Sequence, residues 1–150
     1  MEHITIIDGD KRAKINKRKK EAKFVAVDVE TTGLSPLYNE LIEVSAIKYE
    51  GAKKIDTFST LIKPKKEISS TITNITGITN KMLENAPELD KVMPELVNFI
   101  GDNPIVAHNA NFDYSFLQNN SNRSFTKNKV IDTVAISREM LPNLPNHKLN

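Results

Sequence analysis

Asp28 and Glu30 flank Val29 at the end of an otherwise apolar run that begins at Phe24. A short run that is apolar on both faces predicts a central strand. Alternate residues of a strand share a face, so the two carboxylates project together, with Cα atoms roughly 6.6 Å apart at two strand rises. Two carboxylates in such a place are costly without a counter-charge. A divalent cation supplies one, and carboxylate oxygens suit magnesium or manganese. The carboxyl end of a central strand is also where ligands bind in α/β sheets. Taken alone, an acidic pair of this spacing is common and is better described as two solvated strand-end residues.

A second constellation, Val106-Ala107-His108-Asn109-Ala110-Asn111-Phe112-Asp113, stands where a strand hands over to a helix. Asn109 or Asn111 is suited to cap that helix. Asp113 falls in its first turn, where the helix dipole favours a negative charge without any catalytic reason. His108 is read as a structural residue at the strand end, in preference to a metal ligand or a base.

These side chains need elements to hold them. Residues 24–29, 41–49 and 55–62 read as three strands, with Gly51 turning the second into the third. Residues 65–87 read as a Ser/Thr/Asn-rich connection with one short helical turn at 81–84. Leu89, Val92, Met93, Leu96 and Ile100 recur at helical spacing, and Gly101 caps the end. Pro94 predicts that this helix starts late, placing the proline in its first turn. A strand at 104–107, a helix from 111 to about 118, a strand at 129–131 and a helix at 133–140 complete the order. Hairpin strands followed by strand–helix alternation predict a mixed α/β sheet covered by helices.

Composition narrows the functional classes. The 150 residues suit one domain, and the absence of cysteine excludes a disulfide framework and cysteine-bound zinc. No stretch approaches the ~20 apolar residues of a membrane span, and no signal peptide is visible. A cytoplasmic protein with no membrane partner is expected. Charge divides the chain: residues 1–23 carry eight Lys/Arg against four Asp/Glu, whereas residues 24–150 carry 13 against 15. Residues 1–23 therefore read as a basic extension, with a short strand available around Ile4, Ile6 and Ile7, and residues 24–150 as the domain. The stretch Lys11–Lys23, with its run Lys17–Lys20, reads first as a solvated tail and second as an arm for polyanions.

The string Val27-Asp28-Val29-Glu30-Thr31-Thr32-Gly33-Leu34 resembles the first motif of the DnaQ-like, DEDD-type 3′–5′ exonuclease family, and residues 106–113 resemble the second. The likeness extends over residues 24–149. Ile75-Thr76-Gly77-Ile78-Thr79 resembles a segment that lines the pocket for the terminal nucleotide in that family. Threonine at position 76 is similar to the version found in the large replicative polymerase of low-GC Gram-positive bacteria. Val130-Ile131-Asp132-Thr133 resembles a later segment, with Asp132 starting a helix.

The resemblance implies a ribonuclease H-like five-stranded mixed sheet. It implies two Mg²⁺ or Mn²⁺ ions held by Asp28, Glu30 and Asp113, which would be catalytic residues, and release of nucleoside 5′-monophosphates. Thr31, Leu34, Thr76, Ile78, Asn109 and Phe112 would contact the substrate, with Leu34 wedged against the terminal base. The substrate implied is a single-stranded or frayed DNA 3′ end, with RNA open, in proofreading or repair beside a DNA polymerase. Family members continue with a third motif, a histidine followed five residues later by a carboxylate. The sequence shows neither, and His147 has no such aspartate after it. The C-terminal helix of the domain is thus expected to be missing and cleavage by these 150 residues to be impaired. A catalytically silent module that binds a polymerase, another partner or nucleic acid, and a ribonuclease of the same family, are the alternatives.

Overall fold

The computed structural model describes residues 22–149. The expected strand near Ile4–Ile7 and the run Lys17–Lys20 lie outside them. Strand β1 (Lys23–Thr31) is central. On one side it pairs antiparallel with β2 (Leu41–Glu50), which pairs antiparallel with β3 (Lys53–Leu61). Gly51, at φ 59°, makes the tight turn between them. On its other side β1 pairs in parallel with β4 (Ile105–Ala107), and β4 with β5 (Val130–Asp132). The order β3-β2-β1-β4-β5 is the mixed five-stranded sheet expected from the succession of hairpins and crossovers.

Val25, Val27 and Val29 put one face of β1 into the core beside Val44 and Ala46 of β2. Helix α3 (Leu89–Ile100) covers β2 and β3 with Val92, Met93, Leu96 and Ile100. Helix α4 (Ala110–Asn119) covers β1, β4 and β5, and its Phe116 and Leu117 are fully buried. Each such side chain stabilises the fold by roughly 1.5–3 kcal/mol. Helix α5 (Thr133–Met140) follows β5. Among the described residues no helix is long and apolar enough to cross a membrane.

Two expectations are corrected. Helix α3 begins at Leu89, so Pro94 is its sixth residue and not part of the first turn. Proline costs ~3 kcal/mol inside a helix. Here it lies on the exposed side, and the four buried side chains opposite offset the loss. The connection at 65–87 also holds more than one helical turn: α1 (Ser70–Thr76) precedes α2 (Asn80–Leu83). Its Thr- and Ile-rich sequence has weak helix propensity. Capping and packing make it form. Ser69 accepts from Ile72 N, Gly77 closes the helix at φ 75°, and Thr79 caps α2 through Met82 N. Ile42, Ile68, Ile78 and Leu83 form a second small core against which Ile72 packs.

Candidate carboxylate site

The backbone of β1 explains how Asp113 reaches the acidic pair. Val25 N–H donates to Pro104 O at 2.9 Å, on the β4 side of the strand. Val29 N–H points the same way, but β4 ends at Ala107 and offers it no carbonyl. Asp113 Oδ1, from the first turn of α4, accepts that N–H at 3.1 Å across 84 positions of sequence. A carboxylate thus stands where the next β4 carbonyl would be, against the residue between Asp28 and Glu30. A register shift between Glu30 and Thr31 ends the regular pairing with β2 just there.

Asp28 is exposed, Glu30 is half-buried, and Asp113 is only 4% exposed. Burial pushes the Asp113 carboxyl up to about 7, with Asp28 and Glu30 adding to the rise and the bond from Val29 N–H opposing it. Burial also raises Glu30, followed by the charges of Asp28 and of Glu43. The three carboxylates therefore feel one another through a partly dry medium. The charged groups acting on Glu30 and Asp113 are all acidic. Among the described residues, no three His, Asp or Glu side chains already enclose one point. A cation would have to draw the carboxylates inward.

The residues expected to meet a substrate divide in two. Leu34 is 85% exposed, and Asn109 is exposed as well. The other four are engaged within the fold. Thr31 is buried, and its Oγ1 donates to Gly33 O at 2.5 Å, shaping the turn after β1. Thr76 Oγ1 donates to Ile72 O and accepts from Ile78 N. Ile78 is buried in the second core, facing away from solvent. Phe112 is partly buried against the main core, with its ring 5.1 Å from that of Phe116.

Neither asparagine caps α4 with its side chain. Asn109 stands at the N-cap position in a left-handed backbone, φ 64°, with no capping bond. Asp132 does the work instead: its Oδ1 accepts from Asn109 N at 3.0 Å and from Val134 N at 2.9 Å, serving the starts of α4 and α5 together. Burial works against its ionisation, but N–H bonds from Val134, Asn109, Ala110 and Ala135 outweigh that and hold its carboxyl below the usual range. Both ring nitrogens of His108 are engaged, Nδ1 with Thr133 Oγ1 at 3.0 Å and Nε2 with His147 O at 2.7 Å. His147 Nδ1 meets Ser137 Oγ at 2.8 Å.

Glu43 escaped the sequence reading. It lies directly opposite Glu30 across the β1–β2 pair, and so on the same face. An alternating β2 pattern was its one available signal, because register is not written in a single strand. A cleft of about 960 Å³ lies elsewhere, walled by Lys63, Met93, Pro94, Val97 and Arg123 among others, and none of the three carboxylates lines it.

Comparison with known proteins identifies the family. The RNase T exonuclease family model matches residues 25–150. The chain is 40% identical over 149 residues to the PolC-type DNA polymerase III of Caldanaerobacter subterraneus subsp. tengcongensis, covering 98% of this chain and 10% of that protein. It is 42% identical over 134 residues to the PolC-type DNA polymerase III of Bacillus subtilis, covering 87% and 9%. The chain thus spans about a tenth of the length of these relatives. Exonuclease X in complex with 5′ overhanging duplex DNA superposes with a TM-score of 0.65 at 26% identity, over 81% of this chain and 66% of that one. Product-bound exonuclease I, at 19% identity, shares the fold with a TM-score of 0.71 over 82% of this chain and 33% of that one. A family match from residue 25 to 150, on a mixed sheet whose central strand carries the acidic pair, places the chain in the RNase T exonuclease family, of the DnaQ-like type.

Proposed function

We propose that Asp28, Glu30 and Asp113 form the divalent-cation site of a 3′–5′ exonuclease that removes nucleoside 5′-monophosphates from DNA 3′ ends, in the cytoplasm and beside a DNA polymerase. The observation that carries this reading is the bond from Val29 N–H to Asp113, which sets a buried carboxylate against the strand that bears the other two. The donor set fits magnesium or manganese: it is all carboxylate oxygen, and the charges that act on Glu30 and Asp113 are acidic. When bound, such ions supply an activated water and charge relief at the leaving 3′-oxygen.

The chain's own groups do the rest. Asp113 is held against β1 by the bond from Val29 N–H, which either protonation state can accept. Asp28 and Glu30 present their oxygens on one face of a rigid central strand. Leu34 and Asn109 are both exposed, Leu34 in the loop after β1 and Asn109 at the start of α4, and suit a terminal base and a phosphate. The polymerase names of the relatives and the DNA bound to exonuclease X support a DNA end as substrate.

The test is release of mononucleotides from a 5′-labelled single-stranded oligonucleotide in Mn²⁺, with Asp28→Ala, Glu30→Ala as the control. Release that the double change abolishes supports the reading, and release that survives it refutes the assignment. Release is expected to be slow, since the sequence shows no third-motif histidine; an unsubstituted chain that binds the oligonucleotide equally with and without Mn²⁺ points to a non-catalytic module. Matched DNA and RNA strands decide the sugar.

A further inference from the structure

We propose that Leu37 and Tyr38, in the loop between β1 and β2, form a base-stacking platform for the strand whose 3′ end lies at the carboxylates; this rests on the exonuclease reading above. Leu34, Leu37 and Tyr38 are 85%, 73% and 86% exposed. Single exposed apolar residues are ordinary on protein surfaces. Here three stand within five positions, on a loop that hydrogen bonds hold still. Thr32 N donates to Glu40 O, and Glu40 N to Thr32 Oγ1, each at 2.9 Å. Ser35 N donates to Asn39 Oδ1 at 2.9 Å, and Asn39 N to Ser35 O at 2.8 Å. Asn119 Nδ2, at the far end of α4, donates to Pro36 O at 2.7 Å. Gly33 leaves room for the Asn39 amide, which would lie 2.6 Å from any Cβ there.

A loop held in one shape with its large apolar side chains in water gains nothing in folding from their exposure. It is prepared for contact with something else. The occupant follows from position. The loop leaves β1 after Thr31, the residue next to Glu30, and so lies beside the carboxylates. Asn119 lies six residues along α4 from Asp113, roughly 9 Å away. Stacked nucleotides rise about 3.4 Å each, so a spacing of that size corresponds to two or three nucleotides. Aromatic side chains stack on any base at low cost in conformational freedom, which gives affinity for unpaired strands without sequence preference.

The chain has no tryptophan and three tyrosines, so tyrosine emission is readable directly. Tyr49 already stacks on Phe24, at 5.1 Å. The experiment titrates the whole chain in Mg²⁺ with an oligothymidylate whose 3′ linkages are phosphorothioates, and with a blunt duplex of the same length. Oligothymidylate should quench the emission. Tyr38→Ala should weaken its binding about tenfold, Leu37→Ala with Tyr38→Ala further, and Tyr38→Trp should retain it. Duplex affinity and melting temperature should not change, since both side chains are exposed. If the chain releases mononucleotides but Tyr38→Ala binds like the unsubstituted protein, the platform is wrong and the exonuclease reading stands. Equal weakening for duplex and single strand also overturns the platform. If the chain neither binds the oligonucleotide nor cleaves any 3′ end, both readings fail.

Discussion

Replacing Asp113 by asparagine should make the metal-free protein more stable while removing the function proposed for it. The amide oxygen can still accept the Val29 N–H, so the one bond that positions the side chain survives. What disappears is a buried charge facing Asp28 and Glu30. The folded carboxyl titrates near 7 against 3.8 for the ordinary group, a gap of about three pH units. At 1.36 kcal/mol per unit this sets a ceiling of about 4 kcal/mol. Since the site opens to solvent at Asp28, about 2–4 kcal/mol is the reasonable range. The sign follows from proton binding. Between the unfolded and folded values the native state keeps a proton that the unfolded chain has lost. Wild-type stability therefore falls as pH rises through that window and levels off above about 7. Asp113→Asn has no such proton, so its advantage should be near zero at pH ~4 and full at pH ~8. At roughly 2–4 °C per kcal/mol, the melting temperature in EDTA should rise by several degrees at the higher pH. A variant no more stable than wild type at pH ~8, or an advantage independent of pH, would refute the reasoning.

Other consequences are simpler. Asp132→Ala removes the shared acceptor at the starts of α4 and α5, and should cost about 1–2 kcal/mol in urea denaturation. Because its carboxyl is held below the usual range, the wild-type benefit should fade as pH falls through that range, and a difference that grows in acid would contradict the capping role. Gly33→Ala puts a Cβ 2.6 Å from the Asn39 amide, breaking its bond to Ser35 N at a cost of about 1 kcal/mol. Faster amide exchange at Ser35 would report it, and unchanged exchange would show that the loop accommodates the methyl group.

The sheet was legible because each strand carries its own signal. The valines of β1 mark a centre, Gly51 marks a hairpin, and the two-residue repeat alone puts Asp28 and Glu30 on one face. The nearness of Asp113 to them is a tertiary fact, produced by a short β4 that leaves Val29 N–H open. Motif resemblance pointed to it where periodicity could not. Resemblance marked the 75–79 segment but not the roles of its side chains: Ile78 is apolar and went to the second core. Helix α1 was hidden by its Thr and Ile content, and its capping bonds are visible only in three dimensions. Asp132 was readable as a local helix start. Its second helix required the parallel register that sets Ala107 beside Asp132. Pro94 misled because a single residue's preference was weighed above the apolar stripe that holds α3.

Calorimetric titration of the chain with Mn²⁺ tests the carboxylate site most directly. Wild type should bind saturably and release part of a proton near neutral pH, as Asp113 ionises. Asp28→Ala, Glu30→Ala and Asp113→Asn should each weaken that binding by tenfold or more, on the order of 1.4 kcal/mol. Equal heats from wild type and all three variants would mean that any bound ion sits elsewhere, and that these carboxylates do not form a metal site.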